Sequence, residues 1–390
     1  MTTDTVRAAR DAAVALLSAR ASALNRHDRA AFAATLDSSE SEFGRRQLAA
    51  FDAYAALPVT DLAYGSVTAG PALTAGRAAV MGGAAWVASA QGSYRFTGYD
   101  PGTDTFPVFF TIVRRRGTWR IIDDADGPTQ HQPWDLRGMT VVRSATALVV
   151  GNVPVVTLRR YLAMAGRAVA SVSAVWHGPW RPRIVIVAPS TAAETLEMTH
   201  DPQATPGQVA ASTEGEVPPG RTAPADRIVV NPAGFQQLAP LGQQVVLTHE
   251  STHVAVRSTT VGRVPLWLSE GFADYVGYRS VGVPEADVAA PLLALVRASG
   301  VPTRLPEDSA FDPARGRMAV AYNEGWLAVT VIADRVGVAG LTRFYRGAVS
   351  TGDEASVAAA WARSLRVVAG LTPTALTQVW QARIRRLAAA

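Results

Sequence analysis

Residues 245–257 read VVLTHESTHVAVR, and residues 267–275 read WLSEGFADY. His249 and His253 are four positions apart, so on a helix they lie on one face and can direct both imidazoles at one point. Glu250 is displaced around the helix, within reach of a water molecule held at that point. The first stretch therefore predicts a helix that carries two metal ligands and a base, and the second predicts a neighbouring helix.

The third ligand follows from the residue types that the chain offers. A catalytic zinc ion normally keeps three protein ligands and one open position. The sequence contains no cysteine, and no histidine follows His253. A carboxylate must therefore complete the site, and Glu270 comes after sixteen intervening residues, among apolar residues that predict a buried helix. We expect one Zn²⁺ per chain, held by His249, His253 and Glu270, with Glu250 as the general base.

HExxH followed by WLSEGFADY resembles the gluzincin zinc peptidases, the clan of thermolysin and of the aminopeptidase-N family. The resemblance implies hydrolysis of a peptide bond in a peptide or protein substrate. It also implies that Asp274, one turn after Glu270, orients a ligand histidine through its other ring nitrogen. Residues 320–326, VAYNEGW, are similar to an aminopeptidase-N pattern of a tyrosine before an acid and a glycine. That similarity assigns Tyr322 as the donor that stabilises the oxyanion.

The segment before the HExxH helix departs from the aminopeptidase-N pattern. No GxMEN-like stretch, by which those enzymes hold a free amino terminus, precedes His249. Exopeptidase specificity is therefore not predicted. Residues 227–235, RIVVNPAGF, occupy this region, and we expect them to form an edge strand that pairs with an extended peptide.

The first 130 residues have a different pattern. Apolar residues recur at helical spacing from Val6 to Leu24, and segments rich in β-formers follow from about residue 57 to 126. The sequence RRG at residues 115–117 predicts a hairpin turn. Helices followed by antiparallel strands resemble the nuclear transport factor 2-like cone fold. This resemblance implies a curved sheet with room for a pocket, and no particular chemistry.

These patterns predict an α+β chain of two domains. Residues 1–130 are expected to form the cone-shaped nuclear transport factor 2-like domain, with helices on a curved sheet. Residues 135–390 are expected to form a thermolysin-like gluzincin domain, with a small sheet and a mainly helical remainder. Between its strands, the stretch at residues 199–226 is rich in Pro, Gly and Thr and predicts a mobile loop.

Composition limits the partners. The 390 residues are 48% hydrophobic, enough for two cores, and the net charge of +5 comes from scattered arginines, so no nucleic-acid partner is expected. No run of about 18 apolar residues predicts a membrane span. The sequence leaves the compartment and the oligomeric state open. An extracytoplasmic or cell-surface location, with a leader or an anchor preceding these residues, is favoured over a cytoplasmic one.

Two other functions are consistent with the sequence. One is a peptidase-like module that binds zinc, no longer cleaves and serves for interaction; the presence of Glu250 argues against it. The other is binding of a small ligand by the amino-terminal cone, with a regulatory zinc domain. Truncation near Asp135 would separate the second from a peptidase, because the peptidase predicts activity in the carboxy-terminal piece.

Overall fold

The computed structural model describes residues 3–81, 84–199, 209–279 and 281–389. The chain is a mixed α and β structure, with 53% helix, 18% strand and two small sheets, in agreement with an α+β class. The first part contains α1 (Thr3–Asn25), α2 (Arg29–Ala33), α3 (Glu42–Ala55), β1 (Val59–Ala69), α4 (Ala75–Met81), β2 (Ala84–Phe96), β3 (Asp104–Arg115) and β4 (Thr118–Asp123).

The second part begins with β5 (Thr140–Arg143), β6 (Ala147–Gly151), α5 (Val155–Ser173), β7 (Ile184–Ala188), α6 (Ala192–Met198), β8 (Ala211–Glu214) and β9 (Arg227–Val230). Helices follow to the end of the chain: α7 (Pro232–Phe235), α8 (Pro240–Arg257), α9 (Leu266–Tyr278), α10 (Glu285–Val288), α11 (Ala290–Ser299), α12 (Met318–Ala348), α13 (Glu354–Ala369) and α14 (Pro373–Ala389). A small sheet thus precedes the helix that carries HESTH, and the remainder is helical.

The first sheet is an antiparallel meander in the order β1-β2-β3-β4. Its predicted hairpin is confirmed: Arg115 pairs with Thr118 across a two-residue turn. Arg116 and Gly117 in that turn have φ values of 51° and 84°, the left-handed conformation that a type I′ turn requires at both positions. The apolar faces of α1 and α3 pack with the inward side chains of the sheet to form one core.

The second sheet has the order β5-β6-β7-β9-β8, with parallel strands in the centre and antiparallel strands at both edges. Strand β7, IVIVA, is buried along its whole length, because elements cover both faces of the sheet. One face packs with α5 and α8. The other face packs into the core of the amino-terminal part, through Leu148, Val150, Val185, Val187 and Val229.

The division into domains at residues 130 and 135 stays a prediction, and the packing bears on the truncation experiment. Trp134 and Leu136, next to the predicted boundary, are buried in the amino-terminal core. Removal of the first part would uncover one face of the second sheet, so a carboxy-terminal fragment is not expected to fold unchanged. Function must therefore be tested in the intact chain.

Two predictions about the strands before α8 were wrong. Strand β9, part of RIVVNPAGF, is an interior strand between β7 and β8, and its apolar side chains are buried on both faces. The edge strand is β8, which lies inside the stretch predicted as a loop. Residues 200–208 of that stretch lie outside the described residues.

Helix α12 is long and apolar enough, by length and composition, to cross a membrane. Of its most apolar window, 67% is buried inside the protein, where α12 packs against α9 and α13. This burial is typical of the central helix of a globular core. Gly337, with a φ of 69°, interrupts the helical geometry within it.

Candidate metal centre

The three predicted ligands converge on one point. Helix α8 places His249 and His253 one turn apart, and α9, which packs beside α8, supplies Glu270. The Nε2 atoms of the two histidines are 3.0 Å apart. Glu270 Oε2 lies 3.2 Å from the Nε2 atom of His249 and 3.3 Å from that of His253. The three atoms form a nearly regular triangle.

This triangle has a size and a chemistry that suit a metal ion. Ligand atoms 2.0–2.1 Å from a tetrahedral zinc ion are about 3.3 Å from one another. Moreover, His249 Nδ1 is engaged by Asp274, so in the neutral ring its Nε2 carries a lone pair, as Glu270 Oε2 does. Lone pairs that face one another at 3.0–3.3 Å repel unless a cation or a proton lies between them. The His249, His253 and Glu270 group can therefore hold a metal ion.

Asp274 lies where the resemblance implied. Its Oδ1 is 2.8 Å from His249 Nδ1, and this contact fixes the ring so that Nε2 faces the ligand triangle. Burial by itself lowers the pKa of His249, but the hydrogen bonds to Asp274 and Glu270 raise that pKa well above its usual value. Burial raises the pKa of Glu270, but the charge and hydrogen bonds of the two histidines hold it well below its usual range. Both directions are those of an ion pair between a protonated His249 and the Glu270 carboxylate.

Glu250 lies beside the triangle and is held by the edge strand β8. Thr213 Oγ1 donates to Glu250 Oε2 at 2.7 Å and also lies 3.1 Å from the Glu250 carbonyl oxygen. Burial raises the pKa of the Glu250 carboxyl, while the charges of His249 and His253 offset part of the rise. A carboxylate with a raised pKa is a stronger base, which suits the predicted role of Glu250.

Tyr322 reaches the same cleft because α9 and α12 approach closely at two glycines. A Cβ added to Gly271 would lie 2.4 Å from the backbone of Gly325, so only glycine permits this contact. The Tyr322 ring lies 5.9 Å from that of His249, between centroids. Burial and the neighbouring carboxylates raise the pKa of Tyr322 well above its usual value. The phenol is therefore protonated at neutral pH and can donate a hydrogen bond.

The triangle opens into a cleft of about 510 Å³. The edge strand β8 forms one wall of it, through Ala211, Ser212 and Thr213. Another part of the wall is apolar and includes Val256, Val264, Leu266, Tyr345 and Val349. A cleft of this volume, lined by the candidate ligands and by an edge strand, has room for part of a peptide chain.

Several residues that position this site were missed from the sequence. Thr213 orients Glu250, but the polar sequence ASTE of β8 gives no strand signal. At the end of α8, Arg257 forms an ion pair with the buried Asp226, with Nε 3.0 Å from Oδ2. The adjacent Arg227 pairs with Asp100 of the amino-terminal part at 2.6 Å. The doublet of acid and arginine at 226–227 was the signal available for this link.

Other histidines that the structure describes have partners outside the site. His131 pairs with Glu197, Nδ1 to Oε2, at 3.0 Å. His177 Nδ1 lies 3.3 Å from the Val175 carbonyl oxygen. His200 lies outside the described residues.

Comparison of the sequence with protein-family models and with curated proteins gives no match. The basis for assigning a function is therefore the geometry of the site itself.

Proposed function

We propose that this chain is a zinc-dependent peptidase of the gluzincin type, with an amino-terminal domain of the nuclear transport factor 2-like class. The observation that carries the proposal is the triangle of His249, His253 and Glu270, with Glu250 directly beside it. The antiparallel meander with helices on it supports the cone-like part, and the small sheet followed by α8 and α9 supports the gluzincin part.

When bound, the zinc ion supplies Lewis acidity that makes a water molecule more acidic and polarises the carbonyl group to be attacked. Glu250 takes a proton from the attacking water and passes it to the leaving amine. Thr213 holds the Glu250 carboxylate in place, and Tyr322 donates a hydrogen bond to the developing oxyanion. Asp274 keeps His249 in the orientation that the metal requires.

The edge strand β8 supports a peptide substrate. It pairs with β9 along one edge, and its residues Ala211, Ser212 and Thr213 line the cleft. An extended peptide can pair with such an edge through its main chain, which gives affinity with little dependence on sequence. This role replaces the one that sequence analysis assigned to residues 227–235.

Elemental analysis of the purified chain tests the proposal first. We expect about one zinc per chain in the wild type, and loss of zinc in Glu270→Ala, because three protein ligands are needed for a stable site. Glu307→Ala, which removes an exposed carboxylate, is the matched control and should keep its zinc. Absence of zinc after reconstitution would contradict the metal assignment.

A peptide library, analysed by mass spectrometry, then tests cleavage by the zinc-loaded protein. Cleavage that stops in Glu250→Gln would support a peptidase. Zinc binding without any cleavage would favour the alternative of a zinc-binding interaction module.

A further inference from the structure

The charged side chains that line the cleft differ in whether they already have a role or a partner. Among the described residues of its wall, the carboxylates are Glu250 and Glu270, which the proposed function uses as base and ligand. The basic side chains of the wall, other than the two histidines, are Arg257 and Arg263. The cleft thus lacks a described carboxylate to bind a substrate's amino group, but it has two guanidinium groups.

Arg257 is already neutralised. Its Nε and Nη2 atoms lie 3.0 and 3.1 Å from the carboxylate oxygens of Asp226, whose side chain is 1% exposed. Nη2 also donates to the Gly215 carbonyl oxygen at 2.7 Å. These contacts hold Arg257 as a structural part of the cleft wall, and no charge is left to attract a substrate.

Arg263 is fixed in position by its backbone. Its N–H donates to the Ser350 carbonyl oxygen at 2.8 Å, and Ser350 N–H donates back at 2.9 Å. The preceding Gly262 has a φ of 115°, and a Cβ there would lie 2.5 Å from the Ser350 oxygen. This arrangement anchors the main chain of Arg263 at the cleft wall before any substrate arrives.

The guanidinium group of Arg263, in contrast, is exposed, and within the described parts of the chain no ion pair or hydrogen bond engages it. The charge of Arg263 acts on Asp353, but that carboxylate caps α13 and accepts hydrogen bonds from the N–H and hydroxyl groups of Ser356. Val256, Val264 and Val349 line the same cleft and offer apolar contact to the stem of a substrate side chain.

We propose that Arg263 determines specificity by selecting substrates with a carboxylate that reaches the part of the cleft wall formed by Arg263. This inference rests on the proposed peptidase function and gives it a substrate class. The carboxylate is either an aspartate or glutamate side chain or the substrate's own carboxy terminus, since both offer the same partner to a guanidinium. A single pair of this kind at a partly exposed site gives a preference of about tenfold.

Matched peptides distinguish the two sources of the carboxylate. One pair differs by Glu or Gln at each position around the cleaved bond, and another by a free or amidated carboxy terminus. We expect the wild type to favour the charged member about tenfold in kcat/KM, Arg263→Gln to lose the preference and Arg263→Glu to reverse it. Arg297→Glu makes the same change of charge on the exposed face of α11 and should keep the wild-type ratio. An unchanged ratio in Arg263→Gln would overturn the inference.

Binding separates failure of this inference from failure of the proposed function. Fluorescent Glu and Gln peptides are titrated into zinc-loaded Glu250→Gln protein, with and without Arg263→Gln. We expect Arg263 to strengthen binding of the charged peptide about tenfold relative to the neutral one, even where no peptide is cleaved. Cleavage or binding of both peptides alike would contradict the role of Arg263 and leave the peptidase proposal standing. If the wild type cleaves no peptide but the binding remains charge-selective, the role of Arg263 is supported and the peptidase proposal is contradicted.

Discussion

Two clusters of buried charged side chains include residues of helix α8, one at the middle of the helix and one at its end. The metal cluster consists of His249, His253, Glu270 and Asp274. The interface cluster joins α8 to the amino-terminal part and consists of Asp100, Asp104, Asp226, Arg227 and Arg257. Both are built from side chains that are costly to bury, and both are stabilised by contacts shorter than 3.5 Å.

The difference lies in which atoms meet. In the interface cluster, guanidinium N–H groups point at carboxylate oxygens, so every short contact joins a donor to an acceptor. In the metal cluster, the two Nε2 atoms and Glu270 Oε2 face one another, and all three are acceptors when each neutral histidine carries its proton on Nδ1. The first arrangement pairs its carboxylates with donors of the protein itself, whereas the second needs a cation or a proton between its atoms. The match between donors and acceptors thus distinguishes a structural cluster from a cluster that can bind an ion.

The largest expected effect is on turnover, and it tests whether the base beside the metal cluster is separate from the ligands. Glu250→Gln should lower kcat/KM about 10³-fold, because a general base contributes 10²–10⁴ in rate, while zinc content stays near one per chain. Peptide hydrolysis and elemental analysis on the same sample check both parts. Glu40→Gln, an exposed change far from the cleft, is the control. Full activity in Glu250→Gln would contradict its role as the base.

A substitution in the interface cluster should change the stability of the protein and not its catalytic chemistry. Arg227→Met removes the guanidinium group that pairs with the buried Asp100 carboxylate, which costs about 3–5 kcal/mol in the free energy of unfolding. Urea unfolding measures this loss. The control is Arg29→Met, which breaks a pair with Asp52 whose side chains are 53% and 56% exposed, and it should have a much smaller effect because solvent screens the pair. Equal effects of the two changes would show that the interface cluster does not hold the parts together.

Asp274 tests the orienting contact within the metal cluster. Asp274→Asn keeps the shape of the side chain but weakens its hydrogen bond to His249 Nδ1, and zinc affinity should fall about 10- to 100-fold. Competition with a chelator of known affinity measures the change. Asp308→Asn is a comparable change outside the cluster, at a residue that accepts from the Leu266 N–H group, and should leave zinc affinity unaltered.

The metal cluster was predictable from sequence because its geometry is mostly local. Four-residue spacing on α8 places His249 and His253 together, and one turn of α9 separates Glu270 from Asp274. Only the packing of α8 against α9 was non-local, and the apolar residues around Glu270 indicated it. Family resemblance added Asp274 and also Tyr322, whose approach to the cleft depends on the glycine contact between α9 and α12.

The interface cluster and the edge strand were not predictable in the same way. Strand order in a sheet depends on pairing between distant segments, so the apolar sequence of β9 indicated burial but not its place between β7 and β8. Thr213 lies in a short polar segment with no alternation of apolar residues. The partners Asp226 and Arg257 are 31 positions apart, and neither belongs to a motif. Their meeting is a property of the folded chain.

The smallest expected effect is a pH dependence of stability that arises from Glu324. This residue is a buried carboxylate that belongs to neither cluster. It lies on α12 with a side chain that is 1% exposed, and its ion-pair partner is the exposed Arg317, at 3.3 Å. Burial raises the pKa of Glu324 to about 7, and Arg317 offsets part of that rise. The folded state therefore holds this proton more tightly than the unfolded state, whose carboxyl has a pKa near 4.3. Stability from this group is present below that value and is lost as the pH rises through about 7.

Replacement by glutamine, which cannot ionise, should remove this dependence. The free energy of unfolding of the wild type should fall between pH 5 and pH 8 by on the order of 1–3 kcal/mol more than that of Glu324→Gln. Urea unfolding at several pH values measures the difference in slope. Glu307→Gln removes an exposed carboxylate nearby in the chain and should leave the wild-type slope unchanged. Parallel curves for the wild type and Glu324→Gln would mean that Arg317 compensates the buried charge of Glu324. Glu324 would then resemble the carboxylates of the interface cluster, which are paired with arginines.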